Sequence, residues 1–107
     1  MGDEKNLEVI MGLIMYGGDA KSNAVEAIQA AKAGDFELAQ SKITDAEASL
    51  TQAHHSQTQM LTKEAQGEKA EVSLLMVHGQ DHLMTSIAFT DLAKEIVDLY
   101  KRIDGKQ

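Results

Sequence analysis

The chain has 107 residues, 17 acidic against 10 basic side chains for a formal charge of −7, and neither cysteine nor proline. That length suits a single domain over residues 1–107, with a core small enough that helix packing or self-association must supply part of its stability. The charge argues against nucleic acid, which needs clustered Lys and Arg, and the missing cysteines exclude disulfides, thiolate metal sites and a cysteine nucleophile, in keeping with a cytoplasmic protein.

The opening Met1-Gly2-Asp3-Glu4-Lys5-Asn6 is acidic and lacks an apolar h-region, so no signal peptide is expected. Asn6 stands where a myristoylation motif wants Ser or Thr. A first helix is predicted near 4–33, carrying Leu7, Ile10, Met11 and Ile14, then Ala20, Ala24, Ala27 or Ile28, and Ala31. Its apolar run from Val9 to Tyr16 is too short to span a bilayer, so no membrane insertion is expected. Gly17-Gly18 predicts a kink or a close backbone approach.

Gly34-Asp35 supplies a C′ glycine and an N-cap aspartate, which separates a second helix near 36–65. Its seam, Phe36, Ala39, Ile43, Ala46, Leu50, Ala53, Gln57 and Met60, alternates steps of three and four. Gly67 marks the next break, and a third helix is predicted near 70–103. Glu68 and Glu71 suit the positive end of its dipole, and Lys101 and Arg102 the other end. Ala, Leu, Met, Gln, Glu and Lys dominate the chain, so the fold class is all-α. Each helix would be about 45 Å long at about 1.5 Å per residue. Short connections between such helices imply antiparallel neighbours, hence an up-down-up three-helix bundle.

The third helix is not simply amphipathic. Val72, Leu74, Leu75, Met76, Val77, Leu83, Met84, Ile87 and Ala88 point in nearly every direction. A helix apolar all round is normally buried all round, so a second burial surface is expected, most simply a symmetric oligomer with this helix near the axis. One seam reads Leu75, His78, His82, Thr85, Phe89, Leu92, Ile96, Leu99, Ile103, with polar residues at three positions. His78 and His82 share a face as i and i+4, and Asp81 is turned toward the neighbouring face with Leu74 and Ala88.

Three readings of this cluster stand side by side. It can be a non-catalytic polar layer that sets register or oligomer state in a helical scaffold. It can be a metal site, since His at i and i+4 chelates zinc, although the Glu of the metalloprotease helix and an evident third ligand are missing. It can hold a nucleophilic histidine, with Gly79 leaving room beside it. Counting outward from the two turns brings Ile14 to Gly18, and His54 and Gln57, to the height of His78 and His82. For His55 a solvated surface histidine is the simpler reading, whereas Gln57 interrupts a core seam.

Ser73-Leu74-Leu75-Met76-Val77-His78-Gly79-Gln80-Asp81-His82-Leu83-Met84-Thr85 closely resembles the phosphorylation-site segment of lactose/cellobiose-type IIA components. These belong to the bacterial phosphoenolpyruvate-dependent sugar phosphotransferase system. The resemblance extends to Gly34-Asp35-Phe36, Ala53-His54, Gln57-Thr58, Glu64-Ala65 and Gly67, and so covers most of the chain. It implies a homotrimer of three-helix bundles in which His78 accepts a phosphoryl group from HPr. His78 would then pass it to a cysteine of the cognate IIB component, which phosphorylates sugar entering through the membrane IIC component. It further implies that Asp81 lies at the trimer axis, where three copies share one divalent cation, usually magnesium; three like charges there need such compensation. Gln80 and His82 become candidates for orienting the His78 ring or the phosphoryl oxygens, with His54 and Gln57 behind them. Val9-Ile10-Met11-Gly12-Leu13-Ile14 looks more like cellobiose- or chitobiose-class members than lactose ones, which points to a β-linked disaccharide.

Overall fold

The computed structural model describes residues 2–69 and 71–105, with side chains from residue 6 onward. Three helices follow one another, α1 (Gly2–Lys32), α2 (Phe36–Ala65) and α3 (Leu74–Ile103), in a rod of 54 × 19 × 19 Å. The α1 helix lies against both others, and α2 and α3 touch less extensively. Among the described residues there is no strand, so the all-α reading holds.

The turns form where the local chemistry places them. Gly34 takes φ +86°, a left-handed conformation open to glycine at no steric cost. Asp35 follows as N-cap, its carboxylate accepting from the Leu38 N–H at 3.1 Å. At the second break Gly67 takes φ +93°.

The start of α3 differs from expectation. Residue 70 lies outside the described residues, but 71–73 are non-helical and the helix begins at Leu74. Ser73 is the cap, accepting from the Met76 N–H at 3.1 Å. Glu68 and Glu71 stay in the connection, and the first turn of α3 holds no acidic residue. A hydroxyl bonded to an orphan N–H fixes the helix start more firmly than the diffuse attraction of the dipole for a nearby carboxylate.

Two apolar clusters fill the rod. One is built almost wholly from alanine (Ala20, Ala24, Ala27, Ala31, Ala39, Ala46, Ala93) with Ile43 and Val97, and the other from Ile10, Leu13, Ala53, Met60, Met76 and Leu83. On α3 the buried face is Met76, Gly79, Leu83, Ser86, Thr90, Ala93 and Val97. The seam expected from the sequence lies one step around the helix, where Leu92 and Leu99 are each 57% and Ile103 72% exposed. Small residues occupy the inner face because α1 and α2 come close to it, and the larger apolar residues line a second, outward stripe.

The helix α1 runs unbroken through Gly17-Gly18. The close approach does form. A Cβ on Gly17 would sit 3.1 Å from the His82 carbonyl oxygen and 3.3 Å from Ser86 Oγ. Gly79 faces α1 from the other side, where a Cβ would meet Ile10 Cγ2 at 3.3 Å and the Ile10 carbonyl oxygen at 3.4 Å. Gly18 has nothing within 4 Å of its Cβ position. Gly17→Ala is therefore expected to lower unfolding stability by about 1–3 kcal/mol, because overpacking here meets backbone that has nowhere to go. Gly18→Ala should instead gain up to about 1 kcal/mol from helix propensity. Urea unfolding of the pair checks this, and equal effects of the two changes would refute the close-approach account.

Candidate functional site

The helix contact at Gly17 is closed by one hydroxyl. Ser86 Oγ lies 2.7 Å from the Gly17 carbonyl oxygen and also against the His82 carbonyl oxygen, so its single hydrogen is shared between two acceptors that would otherwise repel. Ser86 is fully buried. The bond holds the backbone of α3 at His82 against α1, and with it the direction in which the His82 ring leaves the helix.

His78 lies one turn earlier on α3 and is exposed. Its ring meets the His82 ring edge to face, with centroids 4.5 Å apart and planes at 86°. His78 also borders a shallow apolar hollow of about 500 Å³ with Leu74 and Leu75. A larger groove of about 640 Å³ runs between α1 and α2, past Met11, Met15 and Tyr16, but no residue of α3 lines it.

His82 is half-buried, and its Nδ1 is buried with no hydrogen-bond partner. Desolvation pushes its pKa below the ordinary 6.5, and the nearby His78 and Lys21 push the same way; Asp81 opposes them. A charged ring would bury an N–H at Nδ1 with no acceptor. The neutral ring with its hydrogen on Nε2 leaves only a lone pair unmatched, which costs less.

The remaining candidates separate. Gln80 sits two residues from His78, about 200° around the helix, and turns to α2, where its Oε1 accepts from Gln57 Nε2 at 2.8 Å. Gln57 and Gln80 therefore meet each other, and within one chain neither is brought to His78. His54 is exposed, its carbonyl accepting from the Thr58 hydroxyl at 3.0 Å, and His55 is exposed as expected. Asp81 is exposed on the outward side of α3, and its carbonyl accepts from the Thr85 hydroxyl at 2.8 Å. No group of three or more metal-ligating His, Cys, Asp or Glu occurs among the described residues, which leaves the His78–His82 pair without the further ligands a zinc site needs.

Two residues escaped the reading of the sequence. Ser86 stands four residues after His82, and Lys21 four after Gly17, so each shares a helix face with a residue at the contact. Only the pairing of α1 with α3 at Gly17 brings these faces together.

The arrangement offers one exposed imidazole nitrogen nucleophile beside a second imidazole kept neutral. Comparison with known proteins bears on its use. Residues 8–101 match the family model described as "PTS system, Lactose/Cellobiose specific IIA subunit". The lichenan-specific phosphotransferase enzyme IIA component of Bacillus subtilis is 48% identical over 101 residues, covering 94% of this chain and 92% of that protein. The crystal structure of the PTS cellobiose-specific enzyme IIA from Bacillus anthracis superposes with a TM-score of 0.92 at 41% identity, covering 95% of this chain and 94% of that one. A solution structure of the IIA(Chitobiose)–HPr complex of the Escherichia coli phosphotransferase system gives a TM-score of 0.81 at 38% identity, covering 92% and 96%.

The depressed pKa of His82 has a measurable sign. Its neutral form is favoured in the folded state, so the stability it contributes is present above the unfolded value of 6.5 and is lost as pH falls through the lower, folded one. In a histidine titration followed by NMR, His82 should titrate below 6.5, and further below it in Asp81→Asn, which removes the one opposing charge. A midpoint at or above 6.5 in the folded protein would contradict the buried-Nδ1 geometry.

Proposed function

The chain belongs to the lactose/cellobiose-specific IIA family of the sugar phosphotransferase system, and from that premise we propose that His78 is its phosphoryl carrier. The observation that carries this reading is the exposure of His78 on α3, edge to face with a neutral His82, inside the segment Val77-His78-Gly79-Gln80-Asp81-His82.

The donor is phospho-HPr, a partner supported by the similarity to the chitobiose IIA solved with HPr. The N–P bond of the donor imidazole breaks and its electron pair stays on that nitrogen. A lone pair of His78 forms the new N–P bond; with both rings neutral before and after, the proton on the other nitrogen of His78 is given up and the donor imidazole takes one up, so none is consumed overall. In the second step a cysteine thiolate of the cognate IIB component takes the phosphoryl group, forming an S–P bond and returning the pair to His78, which takes up a proton from water. Such transfer asks for in-line approach and stabilised charge more than for covalent machinery. The hollow beside His78 is lined by Leu74 and Leu75 and is apolar. Sugar phosphorylation then follows through IIB and the membrane IIC component. Cellobiose- or chitobiose-class β-linked disaccharides are favoured over lactose, on the opening Val9 to Ile14 segment and on relatives named for lichenan and cellobiose. Among the described residues no helix is long and apolar enough to cross a membrane, and we assign the work to the cytoplasm.

The outward stripe of α3 supports an assembly. Leu92, Leu99 and Ile103 form an exposed apolar strip that a lone protein rarely carries, and three copies joined along it make a homotrimer. Asp81 and Thr85 share that side, so three Asp81 carboxylates meet near the axis. A divalent cation such as Mg2+ fits an exposed oxygen donor of this kind; one ion held by Asp81 of each copy would cancel the repulsion. Asp81→Asn should then abolish the bound ion in equilibrium dialysis, and light scattering should give three times the chain mass for the wild type. A monomeric wild type would sink the assembly.

The central test uses phosphoenolpyruvate, enzyme I and HPr. Intact mass spectrometry should show one acid-labile phosphoryl adduct on the wild type and none on His78→Ala. An unmodified wild type, or an adduct that survives His78→Ala, would falsify the assignment and favour a non-catalytic scaffold. The net charge of −7 suits docking to a basic face on HPr, so added salt should slow the transfer.

A further inference from the structure

Lys21 is half-buried on α1, yet it enters no ion pair among the described residues. Its i±3 and i±4 neighbours are Gly17, Gly18, Ala24 and Val25, so its own helix offers no carboxylate. The chain has 17 acidic side chains and 10 basic ones, yet none of the carboxylates is paired with Lys21 among the described residues. What it faces is α3. Gly17, one turn before it, touches the His82 backbone and is bonded to Ser86. Residue numbers rise in the same direction along both helices, Ile10 meeting Gly79 and Gly17 meeting His82. A helical side chain leans toward the N-terminus of its own helix, so Lys21 leans toward the level of His82 and, a turn beyond, His78. Its charge is felt at the His82 ring.

For the free protein this placement brings no compensating charge, because the half-buried ammonium has no carboxylate beside it on its own helix. It becomes favourable once a dianionic group is attached there. We propose that Lys21 binds the phosphoryl oxygens of the His78 adduct and neutralises their charge, an assignment that rests on the phosphocarrier reading. Gly17, Ser86 and the α1–α3 contact position it; His78 and His82 are the titratable groups of α3 on the side it faces, with Asp81 next to His82 on the outward side.

The experiment equilibrates the intact protein with a fixed ratio of phospho-HPr to HPr and reads the phosphorylated fraction by mass. Wild type serves first as control, since failure to form any adduct there defeats the phosphocarrier reading itself. Given an adduct, Lys21→Met should shift the equilibrium toward HPr by about three- to tenfold, the scale of one lost charge-assisted contact. Lys21→Arg, which keeps the charge, should restore most of it. An independent readout needs no variant. Phosphohistidine withstands alkali, so the Lys21 Cε resonance can be titrated by NMR in the free and phosphorylated wild type, and its midpoint should rise on phosphorylation. An equilibrium unchanged in Lys21→Met, an Arg variant as impaired as Met, or an unmoved Lys21 midpoint would each overturn the proposal. If Lys21→Met fails to fold, the wild-type titration still decides.

Discussion

The carbonyl oxygens of Gly17 and His82 come together between α1 and α3 with the Ser86 hydroxyl between them, and the rest of the structure depends on that contact. Two carbonyl dipoles brought into a dry interface repel, even though each also accepts a bond within its own helix. One hydroxyl relieves both at once. The contact is possible only where Cβ atoms are absent, and Gly17 and Gly79 supply that absence from opposite helices. Around it the helices are close enough for alanine to fill the core over much of the rod. The economy has a consequence for the site. A helix held by its backbone rather than by long interlocking side chains keeps a fixed height and rotation, so the His82 ring has one place to go. That place is edge to face with His78.

Much of this was legible in the sequence because it is local. Gly34-Asp35 is a turn and a cap in adjacent residues, and both roles appear as expected. The α2 seam was read nearly residue for residue, since steps of three and four on a helix with one buried face leave little choice. The α3 seam was harder. Its outward stripe carries the larger residues, and a reader of periodicity follows size, whereas the packed face is Gly79, Ser86, Thr90 and Ala93 among Met76, Leu83 and Val97. Small residues face inward when helices are close, and closeness is a property of the pair rather than of either sequence. Gln57 and Gln80 fall under the same limit. Each interrupts its helix, but only the register between α2 and α3 reveals that one answers the other. The cap at Ser73 is masked in the sequence by two nearby glutamates that suit a helix start equally well.

The two stripes of α3 give the small domain a way to use one helix twice. The inner stripe holds the rod together, and the outer stripe, on the proposed reading, holds three rods together. The chemistry sits at the edge of these two commitments. His82 leans inward and loses its Nδ1 to the interior, His78 stays exposed, and Asp81 faces the side where the copies would meet. Three successive roles within five residues follow from the helical advance of about 100° per residue, which distributes neighbours in sequence among different surroundings.

The same geometry explains why a cation for the site belongs on α1. On α3 the positions one turn from Asp81 are Val77, His78, Met84 and Thr85. A lysine placed at 84 or 85 would pair with Asp81 at helical spacing, and its charge would be spent before any phosphoryl group arrived. The α1 position of Lys21 avoids that competition, because its helical neighbours are two glycines, an alanine and a valine. Gly17, which lets the helices touch, thus also keeps a carboxylate from that side of the lysine. With no carboxylate at helical spacing on α1, the Lys21 ammonium is left available to an anionic group that arrives at the histidines.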